Sequence, residues 1–572
     1  MALKDMSDTS YNMAISDLLF PEQEAASMLS PEEYEAKYPP RDLPAGAMVT
    51  RLGPSPTGFI HLGNLFMAMV NQRLAEQSGG VFFLRIEDTD RKREVEDAVP
   101  VLIRSLIHFG IRFTEGPSLV RLLDDFVVEH GDYGPYFQSE RRDIYRAFAR
   151  KLVLEGKAYP CFLTEEQIEA IRATQEAAKE LPGIYGDYAE WRGADPDVVA
   201  NMLDTDKPYV IRLNADYDGA VIDGETITAY DGIRGKLTMP KNPLDVVILK
   251  TDGLPTYHFA HAIDDHLMRT THVVRGEEWL SSLPVHIALF SSLGFEPPTY
   301  CHTALLMKTD EGGKRKLSKR KDPESSLGYY IGHGYHPLAI REYLFTVINS
   351  NYEEWRLANP DVTNETFVVT TERMGSAGML FDLDKVQHIS RETLALIPAA
   401  ELADFIIDWA EREKKEALPV LLENREILTA ALDIGRNNDK PRKDLVYAEQ
   451  ICEFLSYFFD PFFRMEDPLP GNVTGEEARA LLEGYLENHD YTDDRERWFE
   501  KIRELSAAHG YAAKPKDYKN EPEKYKGHVG DVSTVIRRAL TGRCNAPDIY
   551  EIEHILGEHR VRARLTNAIA VL

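Results

Sequence analysis

Apolar and polar positions first alternate clearly between residues 47 and 87. A short apolar run at 47–53 precedes a loop rich in Pro, Ser, Thr and Gly, and residues 62–77 carry apolar side chains at helical spacing. The helix pattern ends at Ser78-Gly79-Gly80, and the run Val81–Glu87 is typical of a buried strand. This order of strand, loop, helix and strand predicts a βαβ unit of a parallel α/β sheet.

The pattern changes three times in the rest of the chain. Residues 151–250 are mixed and turn-rich, which predicts a domain inserted into the sheet. Strand-like runs at Asp245–Lys250 and Thr271–Arg275 return to the α/β pattern. Helical periodicity dominates beyond about Phe381, so the last third is predicted to be all-α. Residues 1–47 hold nine acidic and three basic side chains and predict an appended acidic arm.

Length, charge and cysteine usage limit the class of protein. At roughly 150 residues per domain, 572 residues predict about four domains. No apolar run approaches the roughly 18 residues that span a bilayer, which excludes a membrane protein. The start of the chain lacks a secretory pattern and the four cysteines are isolated, so a reducing cytoplasm is expected. A net charge of −28 disfavours loose binding to nucleic acid and requires any basic contact surface to be local.

The segment Arg51–Asn64, here called the first segment, joins the predicted strand to the predicted helix and reads Arg-Leu-Gly-Pro-Ser-Pro-Thr-Gly-Phe-Ile-His-Leu-Gly-Asn. Parallel sheets bind ligands where strands end, and the N–H groups of a helix N-terminus favour phosphate. Gly58 and Gly63 let the backbone approach a nucleotide closely, and His61 can hydrogen-bond to a phosphate oxygen. A histidine at such a junction, taken alone, is more often a capping or packing residue.

A second segment, Lys314–Lys321, is strongly basic, with six basic residues in eight. This basic segment, taken alone, is typical of either a solvated loop or a contact to nucleic acid.

The first segment, together with Leu84–Asp90, resembles the glutamyl-tRNA synthetases, class I enzymes whose usual motif is Arg-x-Ala-Pro-Ser-Pro-Thr-Gly-x-x-His-x-Gly. The resemblance covers about Val49–Leu344, over half of the chain. Further segments that resemble the family follow in order, at Tyr136–Tyr145, Asp252–Phe259, Asp264–Met268, Arg275–Trp279 and Lys316–Arg320.

The resemblance implies an ATP site. Lys316–Arg320 matches the second class I signature, a mobile loop over the ATP phosphates, where ammonium groups stabilise the charge that develops as pyrophosphate leaves. His61, Lys316 and Lys319 are therefore expected to be catalytic. Mg²⁺ would arrive with the triphosphate, and no protein metal site is expected. Packing in the core is an equal alternative for Trp279. The residues expected to bind ATP are His61, Gly63, Asn64, Glu277, Trp279, Lys316, Ser318 and Lys319.

A pocket for glutamate must satisfy an ammonium group and two carboxylates, so it needs one acidic group and at least two cationic or strong donor groups. The resemblance implies that Glu87 and Ser55 hold the α-amino group. It assigns the two carboxylates of the substrate to Arg51, Arg275 and Tyr257. Which arginine takes which carboxylate stays open.

The chain departs from the family pattern at several positions. Gly53 stands where alanine is usual, and His261 stands where some relatives have an amide in the side-chain pocket. Some relatives carry zinc in the inserted domain, but Cys161 stands alone and zinc is not expected. The group Asp264–His266 matches no common metal-ligand spacing and is assigned to the scaffold.

The resemblance implies an α/β fold with a class I Rossmann-like parallel-sheet catalytic domain, an inserted acceptor-binding domain and an all-α C-terminal anticodon-binding region. The expected domains are an acidic N-terminal extension at 1–47, catalytic halves at 48–150 and 251–310, an inserted acceptor-end-binding domain at 151–250, a signature-loop and stem-contact region at 311–395, and a helical anticodon-binding region at 396–572.

The implied activity is ATP-dependent ligation of L-glutamate to tRNA(Glu) through a glutamyl-adenylate, by a cytoplasmic monomer. Charging of tRNA(Gln) as well stays open. A glutaminyl-tRNA synthetase is disfavoured because its motif reads Pro-Glu-Pro-Asn-Gly where this chain has Pro-Ser-Pro-Thr-Gly at 54–58. The short paralogue that modifies a tRNA base and a small-molecule adenylyltransferase would not need the helical last third. An inactive RNA-binding or regulatory paralogue should have lost a signature residue, and this chain keeps His61, Glu87, Arg275, Lys316 and Lys319.

Overall fold

The chain divides into two units, one of residues 1–328 and 344–382 and one of residues 329–343 and 383–572. The computed structural model describes residues 6–572 apart from 57, 59, 91–94, 96, 122–124, 217–224, 319, 437, 439 and 440. No helix in this described part is long and apolar enough to cross a membrane.

The first unit contains the strands of the described chain. They are β1 (Val49–Leu52), β2 (Val81–Leu84), β3 (Gly116–Arg121), β4 (Asp125–His130), β5 (Ala158–Cys161), β6 (Val210–Leu213), β7 (Thr226–Asp231), β8 (Gly235–Pro240), β9 (Val247–Leu249), β10 (His272–Gly276), β11 (Thr299–Thr303), β12 (Leu306–Asp310), β13 (Gly313–Lys316) and β14 (Met379–Leu380).

The described chain also forms helices up to residue 358, of which the residues within 329–343 belong to the second unit. They are α1 (Thr9–Leu19), α2 (Glu22–Ala25), α3 (Pro31–Lys37), α4 (Leu62–Ser78), α5 (Ala98–His108), α6 (Arg142–Leu154), α7 (Glu165–Ala178), α8 (Pro196–Asp204), α9 (Tyr257–Leu267), α10 (Leu283–Leu293), α11 (Leu327–His333), α12 (Pro337–Ile348) and α13 (Tyr352–Ala358).

Parallel strands form the centre of the first unit. β1 pairs in parallel with β2, with Val49 opposite Val81, and β10 pairs in parallel with β11. The backbone N–H of Thr271, directly before β10, donates to the Val49 carbonyl at 3.0 Å and ties the two pairs together. The buried helix α4 connects β1 to β2, which confirms the predicted βαβ unit and the parallel α/β fold.

The region between β4 and β10 contributes to two sheets. β5, β6 and β9 form an antiparallel sheet of their own. β7 and β8 form an antiparallel hairpin whose Asp231 lies opposite Tyr300 of β11. The sheet order β10-β11-β7-β8 therefore continues the parallel pair with a hairpin from the region predicted to be inserted.

The acidic N-terminal extension packs into the core of the first unit. Apolar side chains at helical spacing on α1, among them Tyr11 and Ile15, are buried with Phe148 of α6. The Tyr11 hydroxyl donates to the Ala194 carbonyl at 3.0 Å. Arg41 makes two hydrogen bonds of 2.6 and 2.9 Å to the Glu115 carboxylate. The extension is thus part of the domain it precedes, which nothing in its charge pattern indicated.

The described residues of the second unit form helices and no strand, which confirms the predicted all-α region. Its apolar core runs from Leu394 to Ala568. After Leu383 its helices are α14 (Leu383–Leu396), α15 (Ala399–Glu413), α16 (Leu418–Glu423), α17 (Arg425–Asp433), α18 (Ala448–Phe454), α19 (Gly475–Asn488), α20 (Arg495–Ala508), α21 (Pro515–Asn520), α22 (Val529–Thr541), α23 (Ile549–Leu556) and α24 (Glu558–Val571).

Candidate active site

The first segment runs from the end of β1 to the start of α4. His61 occupies the N-cap position, and its backbone N–H donates to Asn64 Oδ1 at 3.0 Å, which closes the first turn. Gly58 has a φ of +127°, a conformation that glycine adopts without strain. A Cβ atom placed at Gly63 would meet nothing within 4 Å among the described atoms, so the helix start has room beside it. Ser55 is exposed on this loop.

A network of buried ion pairs begins where β1 and β2 end. Arg51 Nε lies 3.2 Å from both carboxylate oxygens of Asp265 on α9. Arg85 donates to Asp265 Oδ1 at 2.7 Å and to Glu87 Oε1 at 3.0 Å. All four side chains are buried. Asp265 thus holds two of the arginines beside Glu87, a role that the sequence pattern assigned only to scaffold.

The charges within this network set the protonation of its carboxylates. Burial acts to raise the pKa of Asp265, but Arg51, Arg85 and His261 outweigh it and hold that pKa well below its usual range. Burial raises the pKa of Glu87 despite the two arginines. A bound ammonium group would favour the ionised form of Glu87 and offset this cost of burial.

Arg275, at the end of β10, is a buried guanidinium without a carboxylate contact among the described residues. Its Nε donates to His302 Nε2 at 2.9 Å, and its Nη1 lies 3.1 Å from His286 Nδ1. Its Cζ stands 4.7 Å from the ring centroid of Tyr300. Its Nη2 is buried and has no hydrogen-bond partner in the described chain. This donor is therefore available to a ligand.

Aromatic side chains line the space beside the arginines. The centroid of the Tyr257 ring lies 4.5 Å from that of the Trp279 ring. It lies 5.9 Å from the centroid of the His261 ring, on which Tyr257 is stacked. His261 Nδ1 lies 2.8 Å from Asp265 Oδ2, and its Nε2 lies 2.9 Å from the Tyr300 hydroxyl. Burial lowers the pKa of His261 to about 4, so this imidazole is neutral at pH 7. We call Arg51, Arg85 and Arg275, with Glu87 and Asp265, the buried arginine cluster.

The basic segment is built differently. Its first residues belong to β13, which pairs with β12, so the predicted loop starts as a strand. Lys316 has a side chain 58% exposed, with its Nζ 3.4 Å from Glu278 Oε1. Arg315 makes two hydrogen bonds of 2.6 and 2.9 Å to Asp322, which also accepts from the Ser318 backbone N–H at 2.9 Å. Lys319 lies outside the described residues.

A backbone contact connects the first segment to the chain just after the basic segment. The Leu327 backbone N–H, after the basic segment, donates to the Ile60 carbonyl of the first segment at 3.0 Å. Glu277, expected in the nucleotide pocket, accepts a hydrogen bond of 2.5 Å from Arg234 in the β7–β8 turn. The described residues hold no group of three His, Cys, Asp or Glu side chains arranged for a metal ion.

Two family models of known proteins match this chain. A family model for the catalytic domain of class I tRNA synthetases (E and Q) matches residues 47–386, and one for an anticodon binding domain matches residues 442–569. The first match covers more than half of the chain and defines the protein as a class I tRNA synthetase.

Proteins with similar sequences and structures identify the branch of this class to which the chain belongs. A glutamate–tRNA ligase of Acetivibrio thermocellus is 52% identical over 552 residues, which cover 96% of this chain and 98% of the relative. One of Clostridium perfringens SM101 is 44% identical, with 97% and 99% covered. The crystal structure of a glutamate tRNA ligase from Elizabethkingia meningosepticum, in complex with its amino acid, has 27% identity and a TM-score of 0.68, with 92% and 99% covered. This chain belongs to the glutamate–tRNA ligase family, which confirms the resemblance.

Proposed function

We propose that this chain ligates L-glutamate to tRNA(Glu) in two steps. An oxygen of the glutamate α-carboxylate attacks the α-phosphorus of ATP, and the bond to pyrophosphate breaks. A hydroxyl of the terminal tRNA adenosine then attacks the carbonyl carbon of the glutamyl-adenylate, and AMP leaves. The activity named for the relatives supports this reaction, as do the two matched domains.

The observation that carries the proposal is the buried arginine cluster. Buried guanidinium groups are costly unless they are paired, and Arg275 Nη2 has no described partner. A carboxylate of a dicarboxylate substrate supplies the anion that Arg275 lacks. We assign the two carboxylates of glutamate to Arg51, Arg275 and Tyr257, and the α-amino group to Glu87 and Ser55.

The first segment and the basic segment are assigned to ATP. The start of α4, with His61, Gly63 and Asn64, offers N–H groups and a positive helix end to phosphate. Lys316, Ser318 and Lys319 would stabilise the charge that develops on the α-phosphate and pyrophosphate oxygens. Glu277 and Trp279 complete the assigned nucleotide contacts. Mg²⁺ enters this proposal only as part of the ATP substrate.

The helical second unit is assigned to the anticodon. Sequence-specific recognition of RNA favours splayed single-stranded bases, and the matched anticodon binding domain at 442–569 lies in this unit. The proposal takes the enzyme to be a cytoplasmic monomer. Charging of tRNA(Gln) in addition to tRNA(Glu) is the second candidate function.

The decisive experiment is aminoacylation of purified tRNA(Glu) and tRNA(Gln), each with radiolabelled glutamate and ATP. Charging of tRNA(Glu) alone is the expected result. Charging of both tRNAs would identify a non-discriminating ligase, whose product on tRNA(Gln) needs a later amidation. If neither tRNA is charged, and glutamine and other amino acids are also inert, the proposal is wrong and a regulatory paralogue takes its place.

A further inference from the structure

Asp231 is a buried carboxylate that the proposed reaction leaves unassigned. It ends β7, where its side chain is 0% exposed. Its Oδ1 accepts from the backbone N–H groups of Ile233 and Arg234, both at 2.9 Å. Its Oδ2 lies 2.6 Å from His302 Nδ1 on β11. The β7–β8 hairpin thus places a carboxylate against a histidine 71 residues further along the chain.

The hydrogen bonds of His302 define its tautomer. Arg275 Nε is always a donor, so the His302 Nε2 that it contacts at 2.9 Å must be the acceptor. The proton of the neutral ring is then on Nδ1, where it is donated to Asp231. Burial lowers the pKa of His302, which agrees with a neutral ring. Asp231 therefore selects the one tautomer that can accept from Arg275.

The second contact of Arg275 is also to a neutral ring. Since Nη1 is a donor, His286 Nδ1 accepts at 3.1 Å, and His286 Nε2 can donate to His258 Nδ1 at 2.8 Å. With Nε and Nη1 both held, the guanidinium plane is fixed and the direction of Nη2 is determined. That atom is the buried donor without a described partner.

The same hairpin reaches the predicted nucleotide pocket. Arg234, three residues after Asp231, donates to the His302 carbonyl at 3.0 Å and to Glu277 Oε2 at 2.5 Å. One turn of the region predicted to bind the tRNA acceptor end thus supports both His302 and Glu277.

We propose that Asp231 and His302 are positioning residues for glutamate binding, which hold Arg275 so that its Nη2 meets a carboxylate of the substrate. This inference rests on the proposed function. It gives the β7–β8 hairpin a role in the amino acid site and assigns none of the reacting atoms to Asp231 or His302.

The test is the Asp231→Asn variant, whose amide keeps the size of the carboxylate. The amide NH₂ cannot accept from His302 Nδ1–H, so the ring loses its preferred tautomer and no longer accepts reliably from Arg275. In pyrophosphate exchange with tRNA(Glu) present, we expect the KM for glutamate to rise about tenfold or more. The KM for ATP should stay within about twofold, since no ATP contact is changed.

A second variant and two controls make the test specific. His302→Phe keeps a ring but removes both nitrogens, and should raise the KM for glutamate as Asp231→Asn does. If Asp231 acts through His302, the double variant should be no worse than His302→Phe alone. Met13→Ala, at a residue of the N-terminal extension that is 53% exposed, should leave both KM values unchanged. Melting temperatures of all variants, with and without glutamate, show which of them fold and still bind it.

Three results would overturn the positioning role. They are equal rises in the two KM values, an unchanged KM for glutamate in a folded Asp231→Asn variant, and additive effects in the double variant. An inert wild-type enzyme in the same assay would instead contradict the proposed function itself, so the two failures are distinguishable.

Discussion

The buried arginine cluster and the basic segment both concentrate positive charge, but they do so in opposite environments. Arg51 and Arg275 are 4% and 5% exposed and are held by Asp265 and by neutral histidines. Lys316 is 58% exposed and lies 3.4 Å from a single carboxylate oxygen. The first arrangement is preorganised, so its donors have fixed directions before a substrate arrives. The exposed Lys316 ammonium can move with little loss of structure.

This difference suits two kinds of ligand chemistry. The ammonium group and the side-chain carboxylate of glutamate keep their charges throughout activation, so a fixed arginine that meets this carboxylate serves binding and selectivity. Additional charge develops on the departing pyrophosphate in the transition state, where the ammonium groups of the basic segment contribute to rate. Substitutions in the two regions should therefore change different kinetic constants.

The largest effect is expected in the basic segment. Lys319→Ala should slow glutamate activation by about 10² to 10³, and Lys316→Ala should act in the same direction, because each removes a donor to the transition state. For Lys316→Ala the melting temperature should hardly change, since the exposed Lys316–Glu278 ion pair contributes little to stability. Pyrophosphate exchange measures the rate, and a normal rate for Lys319→Ala would contradict its role.

Arg51→Ala should affect binding rather than rate. A charged substrate group loses its partner, so the KM for glutamate should rise by about 10- to 100-fold while the KM for ATP changes far less. The same exchange assay, with each substrate varied in turn, measures both constants. Equal effects on the two substrates would refute the assignment of Arg51 to glutamate.

Acidification should weaken the arginine cluster and its surroundings before the basic segment, which contains no histidine. Burial lowers the pKa of His258, His286 and His302, and lowers that of His261 to about 4. Below pH 6.5 the unfolded chain binds protons that the folded chain does not, so stability falls as pH drops from 6.5 toward 4. For His261 the loss is about 1.4 kcal/mol per pH unit within that range. Thermal unfolding of the protein at pH 7.5 and 5.5 measures the loss, and equal midpoints would contradict it.

The smallest effect is expected at Gly53. A Cβ atom there would lie 2.3 Å from Glu87 Oε1, so the Gly53→Ala variant must displace the carboxylate. Because this atom ends a flexible side chain, we expect the KM for glutamate to rise only about threefold. Gly332→Ala, where a Cβ atom meets nothing within 4 Å, is the matched control. Identical constants for the two variants would show that Glu87 does not need its present position.

Hydrophobic periodicity predicted the helices and strands that bury their own apolar side chains. The strand at Val49–Leu52, the helix at Leu62–Ser78 and the helical last third all follow from it. It missed β13 because Gly313–Lys316 is polar and is held in a strand by pairing with β12 rather than by burial. The expected domain boundaries stay predictions.

The candidate site was predictable only where its residues lie in local sequence motifs. Arg51, Glu87 and Arg275 stand in recognisable motifs, and the fold buries all three. Asp231 and His302 do not belong to a recognisable motif, because only sheet pairing between β7 and β11 brings them together. Long-range pairing leaves no periodic signal in a single sequence.

The packed N-terminal extension also has a consequence during synthesis. Tyr38 emerges from the ribosome early, but Arg269, which donates to its carbonyl at 2.9 Å, follows 231 residues later. At roughly 5–20 residues per second, that delay lasts about 10 to 50 seconds. The apolar side chains of α1 must wait for much of that time before α6 and α8 exist to cover them. The nascent chain therefore exposes the apolar face of α1 during this time. The net negative charge of residues 1–47 favours the solubility of this segment until α6 and α8 have been synthesised.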